Sequence, residues 1–457
     1  MGRQAKRFKI QSEKVAFDKK HRHTIGFNME RYEEAVENGM NQFEDIDHAR
    51  DRVSEIKDKV INNLDKYLEQ FEENFTKRGG KVIWARDGRE AVRNIIEILE
   101  KNDAKLVVKS KSMTTEEIDL NKYVEAKGIE NLETDLGEYI VQVAGERPYH
   151  IVTPAMHKSK EDVAKLFNEK FGTPVDSTPE FLTGYVRELL REKYTSADVG
   201  ITGGNFLIAD IGAVAVTENE GNALMSTSFP RVHIAVDGIE KIIPSVHDLH
   251  YIWPLLATRG TGQNISVYNT IFTGPRQEGE IDGPEEMYVI LLDNGRSQLL
   301  ADPELREALK CIRCGACLNE CPVYRNIGGY TYDSVYSGPI GSIITPHLKG
   351  FKQYKHLSDA CSLCRKCAEV CPVKINLPEL HLINRRKATE RGYNNISWNI
   401  SMYGYKKVML NRKILDISGG GMKNFAARTF GKGIWGPRRE LPHISKRSFS
   451  KIWKSKK

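Results

Sequence analysis

The cysteines of this chain lie in two runs of identical spacing. "CIRCGACLNECP" (311–322) and "CSLCRKCAEVCP" (361–372) both read C-x2-C-x2-C-x3-C-P, and together they contain all eight cysteines. In the bacterial dicluster pattern, three thiolates of a run bind one cluster and the fourth ligates the cluster of the other run. The spacing therefore predicts two [4Fe–4S] clusters, one bound by Cys311, Cys314, Cys317 and Cys371, the other by Cys361, Cys364, Cys367 and Cys321.

Two other uses of these cysteines fit less well. Zinc sites usually consist of two C-x2-C pairs separated by a longer loop, and structural disulfides are rare in the reducing cytoplasm. Zinc and thiol redox chemistry nevertheless stay open as alternatives. The segment "GITGGN" (200–205) is not the G-x-G-x-x-G of a dinucleotide site, and no P-loop is visible. Two clusters without an organic redox cofactor motif indicate an electron relay.

The segments around the two runs predict a helical dicluster module. "DPELREALK" precedes the first run and "NLPELHLINRRKATE" follows the second, and both have helical patterns. The long insert between the runs contains "IGGYTYDSVYSGPIGSIITP", which we expect to wrap the clusters or to bind a partner.

Upstream of the cysteines, strand and helix patterns alternate and predict an α/β domain. The predicted strands of its first half are "KVIWA", "AKLVVKS" and "YHIVTPAM", and the predicted helices are "REAVRNIIEILEKN", "KEDVAKLFNEKF" and "PEFLTGYVRELLREKY". This alternation favours a largely parallel sheet. The second half contains "FLIADIGAVAVT", "RVHIAVDG", "NISVYNTIFTG" and "EMYVILLDN" with little helix between them, so we expect added antiparallel strands.

The N-terminal region and the C-terminal region differ from this domain in pattern and charge. Apolar residues recur at the helical period from Tyr32 to Phe75, which predicts one long amphipathic helix or two consecutive ones, ended by Gly79 and Gly80. The net charge of +7 is uneven, because residues 385–457 contain 19 Lys and Arg against three acids, which is +16 and leaves −9 for residues 1–384. Aromatic residues are interleaved with this basic tail, among them Trp398, Tyr403, Tyr405, Phe425, Phe430, Trp435 and Trp453.

The basic tail is compatible with an acidic partner, an anionic membrane surface or a solvated extension. We expect no nucleic-acid binding. No apolar run is long enough to span a bilayer and the N-terminus lacks a secretory pattern, so we expect a cytoplasmic protein, in possible peripheral contact with the inner face of the membrane.

Two polar glycine loops in the α/β region form a second candidate site. They could line a pocket for a small carboxylate, with a glutamate as base; the candidates are Thr202, Asn205, Asp210, Glu218, Glu220 and Asn222. The alternative is that the glycines permit tight turns while the carboxylates are solvated or cap helices. His233, His247 and His250 lack metal-site spacing, and we interpret them as structural.

Several stretches together resemble the LutB/YkgF family, the iron–sulfur subunit of the bacterial L-lactate utilisation system. They are "KSKSMTTEEIDLN", "TDLGEYIVQ", "GITGGNFLIADIGAVAVTENEGN", "HIAVDGIEKIIPS", "DGPEEMYVILLDNGR" and the two cysteine runs with their flanks. The chain departs from the family at Asp210, where a glutamate is common.

The resemblance implies electron transfer during oxidation of L-lactate to pyruvate, together with a cysteine-rich-domain protein and a second LUD-domain protein. It also implies a LUD domain similar to the ribose-phosphate isomerase and CoA-transferase fold. We therefore expect an N-terminal helical region (1–79), a LUD-type α/β domain (80–293), an α-helical dicluster ferredoxin-type domain (294–384) and a basic extension (385–457). A self-sufficient hydroxy-acid oxidoreductase with its pocket in the LUD-type domain is the alternative.

Overall fold

The computed structural model describes residues 2–417, 419–431 and 440–456. The chain divides into two compact units, one ending at Ala388 and the other beginning at Thr389. Each unit is described by itself below.

The first unit begins with four helices, and three of them cover the stretch from Tyr32 to Phe75, where periodicity predicted one or two. They are α1 (Arg3–Ala16), α2 (Lys19–Met40), α3 (Ile46–Ile61) and α4 (Leu64–Lys77). The prediction was wrong because the apolar stripe continues across two breaks. At the first break Asp45 caps α3, since its carboxylate accepts the backbone N–H groups of Asp47 and His48.

A six-stranded sheet forms the centre of the α/β domain, and all of its neighbouring strands are parallel. Its order is β1-β10-β7-β4-β2-β3, with β1 (Lys81–Ala85), β2 (Leu106–Lys109), β3 (Glu130–Glu133), β4 (Val199–Thr202), β7 (Val232–Gly238) and β10 (Glu286–Leu292). A smaller sheet has the order β8-β5-β6-β9, with β5 (Phe206–Ile208), β6 (Ala213–Glu218), β8 (Ile242–Ile243) and β9 (Tyr268–Phe272). In it, β6 pairs antiparallel with both β5 and β9.

Nine helices accompany these strands in the described chain between β1 and the first cysteine run. They are α5 (Gly88–Lys101), α6 (Met113–Glu117), α7 (Leu120–Ala126), α8 (Leu136–Val143), α9 (Lys160–Phe171), α10 (Pro179–Ser196), α11 (Asn222–Ser228), α12 (Leu249–Thr261) and α13 (Arg296–Leu300). The parallel α/β core is thus confirmed, and the expected antiparallel pairing occurs among β5, β6 and β9. The segments "RVHIAVDG" and "EMYVILLDN" were also expected to add antiparallel strands, but they form β7 and β10 of the parallel sheet.

Two further details of the strand prediction were wrong. The segment "YHIVTPAM" is a loop, because His150 turns the backbone: its Nδ1 lies 3.1 Å from the Val152 amide and 3.2 Å from the Thr153 amide. Strand β3, by contrast, was not predicted, since its sequence "ENLE" alternates weakly and carries two charges.

The cysteine segment is helical, as predicted. It contains α14 (Ala316–Asn319), α15 (Pro322–Ile327), α16 (Gly338–Lys349), α17 (Phe351–Tyr354), α18 (His356–Asp359), α19 (Lys366–Glu369) and α20 (Leu377–Glu390). Its apolar residues share one continuous core with the N-terminal helices and the smaller sheet, in which Met29, Ile56, Phe206, Leu318 and Ile343 are buried. The N-terminal helices therefore help to enclose the cysteine loops.

The second unit contains α21 (Ile396–Met409), α22 (Arg412–Ile417), α23 (Gly420–Ala426) and α24 (Phe449–Lys454). Neither α21 nor α24 has a buried residue, and Trp398, Tyr403 and Trp453 are exposed. Trp435 and the side chain of Phe430, both named above, lie outside the described residues. In the described ranges, no helix combines the length and the apolar character needed to cross a membrane.

Candidate iron–sulfur centre and adjoining pocket

The two cysteine loops, 311–317 and 361–367, repeat the same backbone conformation. The third residue of each is left-handed although neither is glycine, with φ of 62° at Arg313 and 59° at Leu363. The fifth residue is left-handed as well, with φ of 82° at Gly315 and 70° at Arg365. Such conformations cost on the order of 1–3 kcal/mol at non-glycine residues and occur at functional sites. A shared, strained conformation indicates that both loops position their thiols in the same way.

Backbone N–H groups point at the sulfurs in both loops. Arg313 N lies 3.4 Å from Cys311 Sγ, and Leu363 N lies 3.4 Å from Cys361 Sγ. The fourth cysteines have similar contacts, because Tyr324 N lies 3.5 Å from Cys321 Sγ and Ile375 N lies 3.4 Å from Cys371 Sγ. Hydrogen bonds to the sulfurs stabilise the thiolate form that binds iron.

The eight thiols form two groups, each with three members from one run and one from the other. The first cysteine group lines a common cavity and consists of Cys311, Cys314, Cys317 and Cys371. In the second cysteine group, burial and then the neighbouring Cys321, Cys361 and Cys364 raise the pKa of Cys367 to about 12. Burial and then the neighbouring Cys361 and Cys364 raise the pKa of Cys321 to about 11.

This donor set fits iron–sulfur clusters. Thiols with such raised pKa values stay protonated at neutral pH, so a bound cation is needed to hold them as thiolates. Within the described ranges, no three His, Cys, Asp or Glu side chains approach closely enough to bind a single metal ion. Ligands of a cubane cluster stand at its separate corners, and they need not converge in that way.

The surroundings of the two groups differ. In the first group Cys314, Cys317 and Cys371 are buried, whereas in the second group Cys367 is buried and Cys364 is exposed. The second group therefore reaches the protein surface.

A buried ion network joins the first loop to the α/β domain. Arg313 Nη2 lies 3.0 Å from Glu240 Oε1, and its guanidinium lies over the Tyr336 ring at 4.7 Å from the centroid. Glu240 also binds Arg296, which in turn binds Glu117 at 2.7 Å. Burial alone would raise the pKa of Glu240, but Arg296 and Arg313 outweigh it and lower the pKa to about 2.

A polar pocket of about 310 Å³ lies between the main sheet and the first loop. Its floor includes residues that follow strands of the parallel sheet, namely Ser110 and Lys111 after β2, Asp135 after β3, and Gly203 and Asn205 after β4. Arg313 and Cys314 form part of its wall. One member of the first cysteine group thus borders a pocket of the α/β domain.

Family models match both halves of this arrangement. The LUD domain matches residues 68–292, and the 4Fe-4S dicluster domain matches residues 307–375. The α/β and helical parts described above correspond to these two matches.

Full-length relatives are similar over most of the chain. Lactate utilization protein B of Bacillus subtilis is 46% identical over 353 residues, which cover 77% of this chain and 74% of that protein. Lactate utilization protein B of Bacillus cereus is 42% identical over 419 residues, covering 89% and 88%. The chain belongs to the lactate utilization protein B family.

Two further similarities carry different weight. The protein of Escherichia coli named uncharacterized electron transport protein YkgF is 47% identical over 343 residues, covering 75% of this chain and 72% of that one. A crystal structure of a DUF162 family protein from Deinococcus radiodurans has 14% identity and a TM-score of 0.28 over 50% of this chain and 98% of its own, which is too weak to assign a fold.

In this family member, four of the six residues predicted for the pocket lie together. Asn205, Glu218, Glu220 and Asn222 all line it. Glu218 acts there as a helix cap, because its carboxylate accepts the N–H groups of Ala223 at 2.7 Å and Leu224 at 3.0 Å. Glu220 accepts the Leu136 N–H at 3.1 Å. Burial and then Asp135 raise the pKa of Glu220 to about 7.

The structure places the other two residues elsewhere. Thr202 is fully buried in β4, with Oγ1 2.7 Å from His233 Nε2. Asp210 accepts the Val246 N–H at 3.1 Å, in the turn between β5 and β6. The Thr202 side chain thus contacts a neighbour in the core, and the Asp210 side chain stabilises a backbone turn.

Sequence reasoning missed Lys111, Asp135 and Arg313 as lining residues. A signal existed for the first two, because each follows a predicted strand or precedes a helix, where parallel sheets present their ligand-binding edge. No such signal existed for Arg313, because it lies between two predicted cluster ligands and outside the sequence of the α/β domain.

Proposed function

We propose that this protein transfers electrons during the oxidation of L-lactate to pyruvate, as an iron–sulfur subunit of a larger complex. The support is the family membership, in which relatives are named lactate utilization protein B and electron transport protein. The first cysteine group would hold one [4Fe–4S] cluster and the second cysteine group the other.

The observation that carries this proposal is the arrangement of the two groups. The first is enclosed, whereas the second reaches the surface at Cys364. A [4Fe–4S] cluster held by each group would carry one electron, so the two groups together could take the two electrons that oxidation of lactate to pyruvate releases. The loops hold the thiols in a shared strained conformation.

The proposal includes partners. A cysteine-rich-domain protein and a second LUD-domain protein would supply the remaining steps, in the cytoplasm. The basic second unit, with its exposed Trp398 and Tyr403 on a helix that has no buried residue, suits a partner or the inner face of the membrane.

The test is reconstitution with the candidate partner subunits under anaerobic conditions. Analysis should find roughly eight iron and eight sulfide per chain. EPR spectra before and after addition of L-lactate should show cluster reduction only when the partners are present. Stoichiometric zinc instead of iron, or clusters that stay oxidised in the complete mixture, would refute the proposal.

The polar pocket supports a second candidate function, a hydroxy-acid oxidoreductase that needs no partner. Its support is that Cys314 borders the pocket. The helix-capping contacts of Glu218 make Glu220 the better candidate base, because its pKa is raised to about 7 by burial and by Asp135. Lactate-dependent reduction of an artificial acceptor by the isolated chain, lost in Glu220→Gln, is the outcome this function requires.

A further inference from the structure

The topology of the main sheet marks one position where a ligand is expected. From β2 the chain continues to β3 on one side, whereas β4 lies on the other side of β2 and is followed outward by β7 and β10. In open parallel sheets, ligands bind at such a switch point, outside the carboxyl ends of the strands. Ser110 and Lys111 follow β2, and Gly203 and Asn205 follow β4, and all four line the polar pocket.

The loops after β2 and β4 come close together at this point. A Cβ atom on Gly203 would lie 2.4 Å from Ser112 Oγ, so glycine is needed where the loops after β2 and β4 meet. The pocket is consequently built from two loops in direct contact, which fixes the positions of the donors that they carry.

Two cationic side chains that line this pocket have N–H donors available for a ligand. Arg313 donates to Glu240 through Nη2, whereas its Nη1 is buried without a hydrogen-bond partner among the described residues. Lys111 Nζ donates to the Val152 carbonyl at 2.6 Å and lies 3.7 Å from Asp135 Oδ2. Because an ammonium group has three donors, Lys111 can bind a further acceptor.

Acceptors complete the lining. Glu220 and Asp135 border the pocket beside these cations, with Asn222 Nδ2 3.4 Å from Glu220 Oε2. A carboxyl group such as that of Glu220, with its pKa raised to about 7, can accept from a hydroxyl when ionised and donate to a carbonyl oxygen when protonated. The lining thus contains cations that can bind a carboxylate. It also contains the carboxyl group of Glu220, which can accept a hydrogen bond from a neighbouring hydroxyl or donate one to a carbonyl oxygen.

We propose that the polar pocket binds a small 2-hydroxy- or 2-oxocarboxylate, directly beside the first cysteine group. Lys111 and Arg313 bind the carboxylate, and Glu220 binds the oxygen on C2. The choice of this ligand class rests on the function proposed above, whereas the location rests on the sheet topology and the lining residues.

The experiment is calorimetric titration of the cluster-loaded, full-length protein with L-lactate, pyruvate and propionate. Lactate and pyruvate should bind more tightly than propionate, which lacks the C2 oxygen. Lys111→Met should weaken lactate binding at least about tenfold, because it removes a charge-assisted hydrogen bond to the carboxylate. Lys122→Met is the matched control, since Lys122 is exposed on α7 and pairs with Asp119 away from the pocket; it should leave the affinity unchanged.

A second variant and a second readout distinguish a loss of ligand binding from a loss of the folded structure. Glu220→Gln keeps the shape of the side chain and should remove the preference for lactate over propionate. Bound lactate should also change the EPR spectrum of the cluster on the first group, because Cys314 borders the pocket. Absence of binding up to about 10 mM, or binding unaffected by both variants, would overturn the inference.

The two proposals can fail separately. If lactate binds as described but the reconstituted complex stays oxidised, the pocket stands and the electron-transfer function falls. If the complex is reduced by lactate while the isolated protein binds none, the function stands and the pocket assignment falls.

Discussion

The loop 311–317 lies inside the protein beside the α/β domain, whereas the loop 361–367 lies at the surface. The two loops nevertheless have the same cysteine spacing and the same two positions in the left-handed conformation. Around the first, Arg313 is held by Glu240 and Tyr336. Around the second, Arg385 donates to the Cys361 carbonyl at 2.6 Å. The comparison teaches that identical cysteine spacing gives the same loop conformation, while the neighbouring elements set the solvent access and the local charge of each loop.

The largest effect is expected from variants that test whether the fourth cysteine of each run ligates the cluster of the other run. Cys371→Ala should remove the cluster of the first group although Cys371 belongs to the second run, and Cys321→Ala should remove the other cluster. Iron and sulfide analysis should show a loss of about half in each case.

Reference spectra decide which cluster is lost. Cys314→Ala and Cys364→Ala serve as references, because Cys314 would bind the cluster of the first run and Cys364 that of the second run whether or not the runs exchange ligands. The EPR spectrum of Cys371→Ala should match that of Cys314→Ala. A match to Cys364→Ala would show that each run binds its own cluster.

The next effect concerns the charges that hold the first loop. Glu240→Gln leaves Arg296 and Arg313 buried without their shared carboxylate, and breaking a buried pair costs roughly 3–5 kcal/mol. Denaturant unfolding measures this loss. The matched control is Glu304→Gln, since Glu304 pairs with Arg386 and Lys387 while 41% exposed; its removal should cost less than about 1 kcal/mol.

Acidification provides an independent check on Glu240. Its pKa falls from 4.5 to about 2 because Arg296 and Arg313 outweigh burial, so its contribution is present above pH 4.5 and is lost as the pH falls through about 2. The wild-type protein should therefore lose more stability over this window than Glu240→Gln does. Equal losses in the two proteins would mean that the network does not stabilise the first loop.

A smaller effect separates the equivalent positions Gly315 and Arg365. Both are left-handed, but a Cβ atom on Gly315 would lie 2.8 Å from Val152 Cγ2. Gly315→Ala should cost about 1–3 kcal/mol through strain and contact. Arg365→Ala, which exchanges one non-glycine residue for another, should stay within about 0.5 kcal/mol in the same unfolding measurement. Equal costs would show that the two loops are equally crowded.

The smallest effect concerns reduction potential. Arg313→Gln removes a buried positive charge beside the first group and should lower the midpoint potential of its cluster. A charge contribution on the order of 1 kcal/mol corresponds to roughly 40 mV for one electron. EPR-monitored redox titration should show the shift for that cluster alone, and Arg313→Lys should reverse most of it. A shift of both clusters, or of the other cluster, would contradict this assignment of charge.

Much of the fold could be predicted from local patterns. Strand β1 and helices α5, α9 and α10 follow directly from alternation and helical periodicity, and the parallel core with antiparallel additions follows from their order. Prediction failed where a side chain overrides the pattern. His150 turns the segment "YHIVTPAM" into a loop, and Asp45 caps a helix within an unbroken apolar stripe.

The sequence by itself indicated iron–sulfur chemistry for the cysteines, because eight thiols in two equally spaced runs have few other uses. It also predicts the ligand exchange that the cysteine variants above would test. It also indicated a polar site near Asn205, Glu218, Glu220 and Asn222. Only the tertiary structure decided that Glu218 caps a helix, that Asp210 holds a turn and that Arg313 joins the pocket lining. Burial, charge pairing and the contact between the first loop and the α/β domain depend on residues distant in sequence, and no local pattern contains them.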